Sequence, residues 1–155
     1  MRTWPTPDRA GQRKTLIAAC LAALAVLTAC GGGVTESVST AVQDSSSAIA
    51  TARLALGEDS AGKLTTAATS TALDDALKEL TTSRDSVLRL APGTAEDRAA
   101  VQEALTVLDG CAASLTTARN AVSGGDGAPS LADGDRELAA AADRLDQLTA
   151  KEGGK

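Results

Sequence analysis

The chain has 155 residues, 15 basic and 20 acidic side chains for a net charge of −5, no histidine, tyrosine or phenylalanine, one tryptophan and one methionine. A net-negative surface is repelled by phosphate backbones and base-stacking sites need aromatic rings, so nucleic-acid binding is disfavoured on both counts. With no histidine, only Met1 as methionine and three cysteines scattered at 20, 30 and 111, the sequence offers no clustered ligand set for zinc, copper or haem.

The first element sets an address. Arg2, Arg9, Arg13 and Lys14, opposed only by Asp8, precede an apolar run from Thr15 to Cys30 (TLIAACLAALAVLTAC). A basic start, an apolar core of roughly 12–15 residues and small residues at its end are the layout of a secretory signal. A membrane-spanning helix calls for about 20 apolar residues, whereas this run stops at Gly31-Gly32-Gly33.

The end of the run, Leu27-Thr28-Ala29-Cys30, resembles the lipobox of bacterial lipoproteins. The alanine-rich, lysine-poor composition resembles that of small lipoproteins of actinobacteria. The resemblance implies cleavage after Ala29, a lipid on the Cys30 thiol, and acylation (palmitate or a similar chain) of the new amino terminus. Ile17-Ala18-Ala19-Cys20 fits the same pattern, but it has almost no apolar core before it and is rejected. Two or more acyl chains make a stable anchor where one makes a reversible one, so the expected location is the extracytoplasmic face of the cell membrane. Removing residues 1–29 takes away four basic residues and one acidic one. Residues 30–155 then carry 11 basic and 19 acidic residues, net −8, and no aromatic residue, since Trp4 goes with the signal.

Behind a tether at 30–33, the domain is expected over 34–152, with 153–155 as a tail. Val34, Val38, Ala41, Val42, Ser45, Ala48, Ile49, Ala52 and Leu56 keep helical spacing. Gly57 through Gly62 reads as the stop. A second helix is predicted over about 64–91, frayed at its start, with inward positions Leu64, Ala67, Ala68 and Thr71, then Leu73, Leu77, Leu80, Val87 and Leu90. Thr71 with Asp74 looks like a capping box, but a start there would leave a connection of about fifteen residues, long for a compact domain. Asp74 with Lys78 and Asp85 with Arg89 stand at the favourable four-residue spacing.

Pro92-Gly93 stops that helix, and Thr94 with Asp97 caps the next. The third helix, about 95–123, carries Val101, Ala104, Leu105, Leu108, Cys111, Ala112, Leu115, Ala118 and Val122. After Gly124–Pro129, Ser130 with Asp133 caps a fourth helix bearing Leu138, Ala141, Ala142, Leu145 and Leu148, its first turn weakened by Gly134. No strand alternation competes. The expected fold is all-α, an antiparallel up-down bundle of about four helices, with looser paired hairpins as the alternative.

Catalysis finds little support. A nucleophile needs a base oriented by a third group; there is no histidine, and Cys111 lies on an apolar stripe as a small hydrophobe. A disulfide-linked dimer is its sharper use. The pairs Glu58-Asp59, Asp74-Asp75 and Glu96-Asp97 read as loop and helix-start carboxylates, and Gly124-Gly125-Asp126-Gly127 as a linker. No metal, cofactor or catalytic residue is expected. The leading expectation is a lipid-anchored, non-enzymatic helical module acting through a protein partner or self-association. A solute carrier using a cavity between helices is the alternative.

Overall fold

The computed structural model describes residues 33–153. Ala29 and Cys30, the expected cleavage and lipidation residues, lie outside the described residues. Four helices follow one another: α1 (Val34–Ser60), α2 (Thr66–Leu88), α3 (Ala95–Ser123) and α4 (Leu131–Gly153). No strand occurs among the described residues, and no helix there is long and apolar enough to cross a membrane.

Each helix buries positions that alternate four and three residues apart. On α2 the series is Thr69, Leu73, Ala76, Leu80, Ser83, Val87; on α1 it is Val38, Val42, Ser45, Ile49, Ala52, Leu56. On α3 it is Ala104, Leu108, Cys111, Leu115, Ala118, Val122, and α4 contributes Leu138, Ala141, Leu145 and Leu148. This mean spacing of 3.5 residues keeps one seam facing the bundle axis, as in coiled coils and most four-helix bundles.

The register shows that neighbours run antiparallel. Arg84 of α2 pairs with Asp109 of α3, and ten residues back along α2, Asp74 pairs with Arg119, ten residues further along α3. Arg53 reaches Asp135 between α1 and α4, and Lys151 reaches Glu103 between α4 and α3. The chain therefore goes up, down, up and down. The start of α1, the 89–94 connection and the end of α4 share one end; the 61–65 and 124–130 connections share the other.

The cross-section is not square. Helices α1 and α3 each touch all three others, whereas α2 and α4 do not touch each other. The reason is legible in the burial pattern. α1 buries an additional column seven residues apart (Ala41, Ala48, Ala55), and α3 adds Ala100, Ser114 and Ala121. All six are small, so the two helices with wide buried faces sit on the short diagonal.

The ends are held by specific hydrogen bonds. Thr94 and Asp97 form a reciprocal capping box at the start of α3, Asp97 N–H donating to the Thr94 hydroxyl (3.0 Å) and Thr94 N–H to the Asp97 carboxylate (3.2 Å). Ser130 and Asp133 do the same for α4 (3.1 Å each way between backbone N–H and side chain). The Ser130 hydroxyl and N–H bonds hold the Asp133 carboxyl below the usual carboxylate range, with Arg136 adding to the effect.

Three expectations need correction. Gly57 does not stop α1, which continues to Ser60. The stop comes at Gly62 (φ +69°), where Lys63 N–H bonds Glu58 O and Gly62 N–H bonds Asp59 O. That double closure needs a left-handed residue after the cap, which Gly62 supplies and Gly57, mid-helix, does not. Second, α2 starts at Thr66 behind a Thr65 cap that accepts from Ala68 N–H (3.3 Å). Thr71 is an interior residue, in keeping with the connection-length argument against a start there: its hydroxyl donates back to Ala67 O and its apparent capping box is unused. The inward residue of the first turns is Thr69, fully buried, with Ala67, Ala68 and Thr71 outside, because the four-three repeat from Leu73 onward fixes the register. Third, Asp74 pairs with Arg119 rather than Lys78, and Arg89 donates to Ser86 rather than to Asp85. Register across helices brings a guanidinium closer than the same-helix lysine.

Candidate functional site

Cys111 is the one thiol of the described residues and is fully buried. Its Sγ lies 3.9 Å from Ala141 O on α4. Burial pushes the thiol up to about 11, with Arg144 pulling slightly the other way. A thiol protonated at neutral pH and closed off by α4 is neither a nucleophile nor reachable for a disulfide-linked dimer.

The carboxylate pairs do not converge. Asp74 and Asp97 are engaged in the ion pair and cap described above, and Glu58 pairs with Lys63 in the connection after α1. Among the described residues, no three acidic or thiol side chains come together as a metal cage.

Gly134, expected only to weaken α4, does something more specific. A Cβ there would stand 3.1 Å from the Ala118 Cα and 3.3 Å from the Ala121 Cβ. It also continues the inward series of α4 back from Leu138. The residue is the close-approach point of α3 and α4, and its signal in the sequence was its place in the four-three repeat. Ser114 faces the same seam, its hydroxyl 3.5 Å from the Glu137 carboxylate.

The seam between α1 and α2 is built differently. An open groove of about 460 Å³ has Ala48, Ala72 and Ala76 among its lining, and a second stretch of about 270 Å³ continues it, the two sharing Asp44 and Glu79. Asp75 adds a third carboxylate, and no basic side chain lines either stretch. Serine and threonine hydroxyls make up most of the remaining walls. The sequence reading did not find this groove, because it forms only when two helices are set in register. Between α1 and α4 another groove of about 380 Å³ runs past Gln43, Arg53 and Asp146. Arg53 Nε there has no hydrogen-bond partner and stands 3.7 Å from the Asp135 carboxylate.

No protein family, curated protein or solved structure matches the chain.

Proposed function

We propose that the protein is a lipid-anchored module on the extracytoplasmic face of the cell membrane, with a non-catalytic interaction or structural role. The observation that carries this reading is the Leu27-Thr28-Ala29-Cys30 sequence standing after a basic start and an apolar core. Cys30 is the lipidated residue and Ala29 the last residue of the segment cut away. The bundle begins at Val34, four residues beyond Cys30, so the shared end of α1, α4 and the 89–94 connection is the membrane-facing one.

A non-catalytic role fits a bundle whose buried thiol is inert and whose Glu58, Asp74 and Asp97 carboxylates serve ion pairs and a cap. The grooves between helices are open to the outside, which favours a partner laid on the surface over an enclosed solute. Replacing Cys30 by serine tests the anchor. Cells expressing Cys30→Ser should release the protein or accumulate the unprocessed precursor; normal membrane retention of a processed Cys30→Ser protein would overturn the reading. Crosslinking on intact cells tests the role, a captured protein partner supporting it and a co-purifying small molecule favouring the carrier.

A further inference from the structure

The α1–α2 groove has a chemical sign. It extends from Ser37 and Ser86 to Thr51 and Ala72, fourteen helical residues or about 21 Å at 1.5 Å per residue. Asp44, Asp75 and Glu79 along it make no ion pair or hydrogen bond, although charged partners tie the other three neighbouring seams of the up-down circuit, α2–α3, α3–α4 and α1–α4. The hydroxyls beside them are turned away. Thr40, Ser47, Thr51, Thr82 and Ser86 all donate to the carbonyl four residues back on their own helix. Their protons are spent on their own helices, which leaves the hydroxyl oxygens as acceptors, that of Ser86 already taking a bond from Arg89. The walls thus offer carboxylate and hydroxyl acceptors with few free donors, over an alanine floor that lets another chain approach closely.

We infer that this groove docks a cationic helical segment of a partner protein, lysine or arginine side chains reaching Asp44, Asp75 and Glu79. Asp75 and Glu79 are four residues apart on α2, one helical turn, with Asp44 opposite, so cations one turn apart on the ligand match the spacing. A single metal ion does not fit, because the three carboxylates do not converge. A second copy of this chain does not fit either, since every helix of the bundle carries more acidic than basic residues and like charges would face each other. This names a partner class for the interaction module proposed above and rests on that reading.

The test uses the full chain in detergent micelles and a fluorescent four-turn alanine-based peptide with lysines four residues apart, compared with its glutamine counterpart. The lysine peptide should bind at least about tenfold more tightly than the glutamine peptide, and weaken as salt rises. The triple variant Asp44→Asn, Asp75→Asn, Glu79→Gln should lose about tenfold in affinity. A control removing the same charge elsewhere (Asp59→Asn, Asp126→Asn, Asp143→Asn) should stay within about twofold. Ser47→Leu, which narrows the groove and keeps its charges, should weaken binding as well. Equal losses in both triple variants would reduce the effect to net charge and overturn the proposal, as would failure of the lysine peptide to bind. A partner captured on cells by crosslinks outside α1 and α2 would also overturn it, and would leave the module reading standing.

Discussion

The seam between α3 and α4 and the seam between α1 and α2 start from similar material and end differently. Both place small residues where two antiparallel helices meet, Ser114 and Ala121 in one case and Ala41 and Ala48 in the other. In the first, Gly134 on the facing helix lets the backbones close to van der Waals contact, and Lys151 with Glu103 ties the outer edge. In the second, the facing residues are Ala72 and Ala76 with Asp75 and Glu79 beside them, and nothing ties the edge. Small residues permit close packing but do not compel it. The partner residue and the charges decide whether a seam closes or stays a groove.

Overpacking should separate the two seams most sharply. Gly134→Leu has no room beside Ala118 and should cost up to about 3 kcal/mol in urea unfolding. Ser47→Leu, on the open groove, should stay within about 0.5 kcal/mol. A large loss for Ser47→Leu would mean the groove is as tightly packed as its counterpart.

The thiol on the closed side gives the next effect. Its pKa rises from the ordinary 9.0 to about 11 in the folded protein, so the unfolded chain loses its proton first as pH rises. The contribution is fully present below pH 9 and is lost progressively between about pH 9 and pH 11. Two pKa units correspond to about 2.7 kcal/mol at most. Cys111→Ala should lack this part of the alkaline slope, so the difference between the two proteins' stability curves should grow less favourable to the wild type over that window. A constant difference would sink the argument.

Capping follows. Thr94→Ala should cost about 1 kcal/mol, since it orphans the Asp97 N–H, while Thr71→Ala should be within about 0.5 kcal/mol of neutral or stabilising. Equal effects would mean the α2 start had been misplaced. The smallest contrast is electrostatic. Asp74→Asn removes an exposed partner of Arg119 and should cost about 0.2–1 kcal/mol, less in high salt. Asp44→Asn breaks no pair and should be neutral or slightly stabilising at low salt.

Local chemistry was the legible part of the sequence. Thr94 with Asp97 and Ser130 with Asp133 fixed two helix starts because every atom of a capping box lies within four residues. The inward stripes of α1, α3 and the strong half of α2 were readable for a similar reason, since spacing alone predicts a helix face. Gly57 misled because a stop motif acts only where the chain is already leaving the helix, and for the same reason the Thr71 cap, set aside on connection length, goes unused. Gly134 looked like a defect because its use depends on Ala118, sixteen residues away in sequence. The groove was invisible for the same reason: Asp44 faces Glu79 only after α1 and α2 are set in register. The Leu27–Cys30 motif remains a sequence argument.

The flattened cross-section also governs how the molecule comes apart. Since α2 and α4 do not touch, either flank can swing away while the other three helices stay packed together. Loss of α4 would uncover Cys111, whose sulfur rests against Ala141. That makes Cys111 a clock for one hinge-like opening. Slow thiol modification of the native protein, timed against global unfolding, would read how often the last helix lifts off. Gly134→Leu should make that clock run faster.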